Sequence, residues 1–195
     1  MIKTTAMIIN ELENYASPAD KLERLVKEKK YIPIIRGLYE TDRTVPGYLL
    51  AESIYGPSYL SFEFALAYHG LIPEAVYTFT SATFEKKKTK KYVTEFGTYL
   101  FRDVPSKAFP FGIEIVEERG YCYKIATAEK ALCDQLYKMK RVENYKEMRE
   151  LLFQDLRIDE TLFSELDVDV IVFLADKYGS MNVKKLAKMM RRDRK

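Results

Sequence analysis

Between Val76 and Ile125 the chain is rich in β-branched and aromatic residues, and Gly97, Pro105, Pro110, Gly112 and Gly120 cut the stretch into short pieces. A helix does not survive that punctuation, because proline removes a backbone donor and each interior glycine costs about 1 kcal/mol. The stretch therefore predicts about five short antiparallel strands. Helical periodicity lies before and after it rather than alternating with it. The class is α+β: an N-terminal winged-helix-like module, then a mixed domain with an antiparallel sheet and C-terminal helices.

The first forty residues read as two helices and a hairpin. Ile8, Ile9, Leu12 and Tyr15 fall at helical spacing, and Ser17-Pro18 supplies an N-cap and a first helical position for a second helix. In that helix Leu22, Leu25 and Val26 form one stripe, with Lys21, Arg24 and Lys27 opposite. Tyr31 to Ile35 and Gly37 to Tyr39 read as short strands, with Arg36-Gly37 at the turn, the place of a wing. Thr41 to Gly47 has turn chemistry without periodicity, which sets a boundary between a module at 1–45 and a domain at 46–195.

Tyr48 to Tyr68 reads as a helix, a turn at Gly56-Pro57-Ser58, and a second helix ended by Gly70. Thr127 is an N-cap for a helix whose Ala128, Ala131, Leu132, Leu136 and Met139 share a face to lay on the sheet. Further helices are expected around Tyr145 to Phe153, around Asp169 to Tyr178, and after Gly179-Ser180, where Val183, Leu186, Ala187 and Met190 align.

A net charge of +3 says little, but the charges are segregated. Residues 21–36 hold six Lys/Arg against two Glu, including Lys29, Lys30 and Arg36 beside the helical cations. Residues 84–102 hold six against two, with Lys86, Lys87, Lys88, Lys90 and Lys91 together; residues 184–195 hold seven against one, with Lys184, Lys185, Lys188, Arg191 and Arg192. Residues 141–176 reverse the sign, ten acids against four bases. The first cluster is the candidate DNA contact; the other two are candidate nucleic-acid or partner contacts, although solvated lysines and favourable charge at a helix C-terminus explain them equally well.

Cys122 and Cys133 lack metal or redox spacing and are expected as buried free thiols in a reducing cytosol. The opening apolar run is too short for a signal peptide, no later run reaches the length of a membrane span, and a cytoplasmic location is expected. There is no glycine-rich phosphate loop. The sole histidine, His69, has no partner for nucleophilic catalysis and is expected to be structural. A metal-dependent nuclease could be assembled only by bringing Asp103, Glu114 and Lys124 together, which their spacing does not compel. No enzyme, metal or cofactor is expected. Tyr77, Phe79, Phe84, Tyr92, Phe96 and Tyr99 could stack on bases, but at strand spacing they are expected mostly as core.

Several stretches in succession resemble the AbiEi family of antitoxins of type IV toxin-antitoxin systems. They are Arg36-Gly37-Leu38-Tyr39; Ser58 to Leu66 running into His69-Gly70-Leu71-Ile72-Pro73; Phe96-Gly97-Thr98-Tyr99; Phe101 to Pro105; and Ile125 to Tyr137. The resemblance covers about residues 20–140 and rests on order and spacing rather than on one motif. It implies a winged helix that binds operator DNA and represses its own operon, joined to a domain that counters a nucleotidyltransferase-like toxin without necessarily touching it. It assigns DNA contact to Lys21, Arg24, Lys27 and Arg36, and no catalytic residue. The chain departs from the family pattern in leaving room for a single helix before Ser17, where three usually precede the wing.

A palindromic operator would be read by a homodimer. Two other readings remain at this level. One is a protein-interaction module that uses the acidic run from Glu143 to Asp169, with operator binding lost; the other is an RNA binder that uses the lysine cluster and strand aromatics.

Overall fold

A computed structural model describes residues 1–194. The chain begins with β1 (Lys3–Thr4), α1 (Thr5–Glu11), α2 (Pro18–Lys27), β2 (Ile32–Ile35) and β3 (Leu38–Glu40), and these strands form an antiparallel sheet in the order β1-β3-β2. Thr4 caps α1 by accepting from the Met7 amide at 3.3 Å. Ser17 holds the N-cap position of α2 with Pro18 behind it, but its side chain makes no capping bond, so the proline alone marks that start. Gly37 takes φ +84° at the β2–β3 turn, a conformation that costs other residues. Ile8, Leu12, Leu22 and Leu25 form a small core of their own, with Ile9, Val26, Tyr31 and Tyr39 packed around it. Tyr15, expected on the α1 stripe, is exposed because α1 stops at Glu11 and the stripe ends with it.

A 3-10 turn (Gly47–Leu50) leads into α3 (Ala51–Ile54), then β4 (Tyr59–Leu60), α4 (Phe62–Tyr68), β5 (Thr78–Thr83), β6 (Lys90–Thr94), β7 (Gly97–Asp103), β8 (Ile113–Glu118) and β9 (Tyr121–Ala126). The second sheet has the order β6-β7-β5-β4-β9-β8. The β6–β7 and β8–β9 hairpins are antiparallel, while β5 lies parallel to β7 and β4 parallel to β9. Five of these strands lie where the sequence places them. The sixth, β4, joins the two halves of the sheet, yet its two residues are too few to carry a period, and both are 1% exposed. Side chains alternate along β9, which buries Tyr123 and turns Cys122 outward; Cys133 is buried as expected.

The remaining chain is helical: α5 (Ala128–Lys138), α6 (Tyr145–Glu150) running into one π turn (Leu151–Asp155), α7 (Glu160–Glu165), α8 (Val168–Tyr178) and α9 (Met181–Asp193). Thr127, Asn144, Asp159 and Asp167 cap α5, α6, α7 and α8 through their side chains, each worth about 1 kcal/mol. Gly179 ends α8 in the left-handed region. The α5 helix packs against α4 and β9 and also against α8 and α9, so every residue from Lys130 to Leu136 is buried. Among the described residues, no helix is long and apolar enough to cross a membrane.

The small module packs on the main core through Ile34, with Ile2, Ile35 and Leu38 beside it, and a polar tie is added by Glu40, which is fully buried. Its carboxylate accepts from the Tyr121 hydroxyl at 2.8 Å, from the amides of Thr41 (2.7 Å) and Asp42 (3.1 Å), and from the Met1 amino group. Burial alone pushes such a carboxyl up; here the four donors outweigh it and hold Glu40 below its usual value of 4.5. The charged form is therefore favoured by folding, and its contribution is present above about pH 4.5 and lost as the pH falls through the lower folded value. Tyr121→Phe removes one donor and is expected to cost about 1–3 kcal/mol at pH 7 in urea unfolding. The gap from the unsubstituted chain should narrow below pH 4.5; a gap that widens on acidification would contradict this account of Glu40.

Candidate nucleic-acid interface

The basic residues of the first forty positions are unevenly placed. With about 100° per residue, Lys27, Arg24 and Lys21 span an arc of about 120° on α2, and Asp20 and Glu28 fall inside it. At one end of the arc Lys21 folds back, its ammonium 4.9 Å from the centre of the exposed Tyr15 ring. At the other end Lys27 lines a groove of about 470 Å³ between α2 and the β2–β3 hairpin. Arg36, at the hairpin turn, lines the same groove, together with Val26, Ile35 and Tyr39 and one carboxylate, Glu23. Lys30 is within 3.1 Å of Glu28 and is partly neutralised, and Lys29, two residues past the end of α2, takes φ +56°. Among the described residues, Arg24, Lys27, Lys29 and Arg36 have no carboxylate within 4 Å. The structure thus unites Lys27 with Arg36 and separates Lys21 from both.

The second cluster has a local reason to be there. The loop from β5 to β6 is pinned by Asp103, which accepts from the Thr83 hydroxyl at 2.6 Å and from the Lys87 amide at 2.5 Å. Lys86 stands 5.2 Å from the Tyr55 ring centre, and Lys87 and Lys88 are exposed. Lys90 and Lys91 lie on β6, an edge strand of the second sheet, where lysine discourages pairing with another chain. Of the strand aromatics, Tyr99 is buried and Phe79, Tyr92 and Phe96 pack against the core, while Phe84 lies 4.4 Å from Phe109. Only Tyr77, 86% exposed, is free to stack on anything.

The third cluster lies along α9, where Lys184, Lys188, Arg191 and Arg192 are exposed and Lys185 donates to the Val142 carbonyl. Part of the acidic run is committed to helix starts: Asp159 and Asp167 are caps, and Glu147 accepts from Glu143 N and Asn144 Nδ2, both at 2.7 Å.

Asp103 and Glu114 are not brought together. They lie on β7 and on the far edge strand β8, and Lys124 pairs with Glu52 at 2.6 Å. Among the described residues, no group of three His, Cys, Asp or Glu side chains is placed to hold a metal ion. His69 is the C-cap of α4, its Nε2 2.7 Å from the Ala126 carbonyl oxygen.

What sequence reasoning missed is polar and buried. Asp134 accepts hydroxyls from Tyr59 (2.9 Å), Ser61 (2.6 Å) and Tyr178, and Lys130 stands 3.6 Å from it. Lys130 also donates to the Ala108 carbonyl and the Tyr178 hydroxyl, each at 2.7 Å. Burial lowers the Lys130 pKa, with the Asp134 charge opposing; burial and that same charge push Tyr59 and Tyr178 well up. Enclosed on every side, this network holds α5, α8 and β4 together and offers no access to a ligand.

Compared with known proteins, the chain matches no protein-family model, and no curated protein is similar to it. The AbiEi resemblance therefore stands on the quoted sequence stretches alone.

Proposed function

We propose that the chain binds duplex DNA through its N-terminal module and serves as the autoregulator and antitoxin of a type IV toxin-antitoxin pair. The observation that carries the DNA half is the joint placement of Lys27 on the second helix and Arg36 on the hairpin turn, on the two sides of one groove. In a helix-turn-helix the second helix enters the major groove; in this β-α-α-β-β module α2 is the second helix and the β2–β3 hairpin lies beside it, which supports the same use. At 1.5 Å per residue α2 is about 15 Å long, and the major groove, about 12 Å wide, admits a helix. Arg24, Lys27 and Arg36 would meet phosphates, so affinity falls with salt and sequence preference comes from the neighbouring side chains and from dimerisation. The antitoxin half, its nucleotidyltransferase-like counterpart and a cytoplasmic location rest on the sequence resemblance.

One observation favours a second reading, a protein-interaction module without operator binding: Asp20 and Glu28 interrupt the basic arc of α2. Titration against the chain's own upstream region and a scrambled duplex, across a salt series, separates the two. The proposal expects tighter binding to the upstream duplex at every salt concentration. Equal binding to both, or none, sinks it. Relief of growth arrest on co-expression with the neighbouring toxin gene tests the antitoxin half, and it is expected to survive loss of DNA binding.

A further inference from the structure

At 100° per residue, Met181, Lys184, Lys185, Lys188, Arg191 and Arg192 fall in one arc of about 120° on α9. The helix is buried elsewhere from Asn182 to Met190. Five cations share the arc with no carboxylate, because Asp193 lies off it and pairs with Arg149. Among the described residues, Lys184 and Lys188 have no carboxylate within 4 Å, although they sit one turn apart, where like charges repel. An anion between them removes that repulsion.

The stripe also has a hollow beside it. Where α9 meets the start of α6, a cavity of about 370 Å³ is lined by Tyr145 and Met181, by Lys184, Lys185 and Lys188, and by Glu143 and Asn144. Met181 is 50% exposed, an apolar side chain left open to solvent. The Arg192 guanidinium stands 6.0 Å from the Tyr145 ring centre. Glu143, the one carboxylate of the lining, is engaged by Arg141 at 3.3 Å. A lining that joins an aromatic and an apolar side chain to cations fits a ligand with a flat ring at one end and a phosphate at the other.

We propose that this hollow binds a nucleotide, its base against Tyr145 and Met181 and its phosphate between Lys184 and Lys188. A hollow of that volume takes one unpaired base and excludes a duplex, so the site is separate from the duplex contact proposed for the N-terminal module. The nucleotide is either free or part of a single strand whose next phosphates follow Arg191 and Arg192.

The test uses the full chain, with fluorescein-labelled (dT)10 in anisotropy titrations and ATP in calorimetry and as competitor. Lys184→Glu/Lys188→Glu is expected to weaken binding at least about tenfold, and Tyr145→Ala by about fivefold or more, the lower end of measured base stacking. Met181→Ser, at an exposed position, repeats the stacking test should Tyr145→Ala disturb folding. ATP binding that displaces the strand identifies the free nucleotide as ligand, and strand binding without ATP binding identifies the single strand; both uphold the proposal. It is overturned if neither probe binds, if the lysine reversal changes nothing, or if the reversal abolishes binding while Tyr145→Ala and Met181→Ser leave it intact, which marks a general polyanion surface. Lys27→Glu/Arg36→Glu should leave (dT)10 binding unchanged and the α9 reversal should leave duplex binding unchanged, so either proposal can fail alone.

Discussion

Asp134→Ala is expected to lower the folding free energy by about 3–5 kcal/mol, the cost of breaking a buried ion pair from one side. The substitution strands the Lys130 ammonium, fully buried with only a carbonyl and a hydroxyl for company, and removes the acceptor for Tyr59, Ser61 and Tyr178. Unpaired buried hydroxyls cost about 1–3 kcal/mol each where no water reaches them. Against a total stability of about 5–15 kcal/mol for a domain, the loss is a large fraction. Lys130→Met/Asp134→Leu, which deletes both charges, is expected to lose less than Asp134→Ala alone, because attraction between buried ions does little more than offset their desolvation. Urea unfolding followed by circular dichroism measures both; a loss below about 1 kcal/mol for Asp134→Ala would mean that water reaches the network.

Lys27→Glu/Arg36→Glu is expected to weaken duplex binding about a hundredfold at low salt. Two phosphate contacts at about 1.4 kcal/mol each account for that factor, before any repulsion by the introduced carboxylates. The slope of log K against log salt should fall by about two, one for each lost contact. Lys21→Glu is expected to do far less, since Lys21 leans on Tyr15 and lies about 120° round the helix from the groove. Anisotropy titrations at several salt concentrations provide all three values. Equal losses at Lys21 and at Lys27 with Arg36 would place the contact on the outer arc of α2 rather than at the helix–hairpin groove.

The class and most elements were legible because they rest on local signals. Thr127, Pro18, Gly37, Gly70 and Gly179 mark element ends that depend on a few neighbouring residues, and the structure uses all of them. The β4 strand was not legible: Tyr59 and Leu60 are strand only because β5 and β9 lie on either side. Nor was the enclosure of α5. Its apolar stripe and the charges opposite describe a surface helix, but Tyr59 and Ser61 meet Asp134 from the sheet and α8 supplies the Tyr178 hydroxyl, a pairing set 44 residues away from Asp134. The basic clusters were visible as composition. Which of them gathers into a groove depends on the third dimension, where Lys27 joins Arg36, Lys21 turns to Tyr15, and Lys90 and Lys91 guard a sheet edge.

The most direct test of duplex recognition by the N-terminal module is a heteronuclear NMR titration of the 15N-labelled chain with its upstream duplex. Amide shifts concentrated in residues 18–40, strongest around Lys27 and Arg36, are the expected result. Shifts confined to residues 84–102 or to α9, or none at saturating duplex, would contradict it.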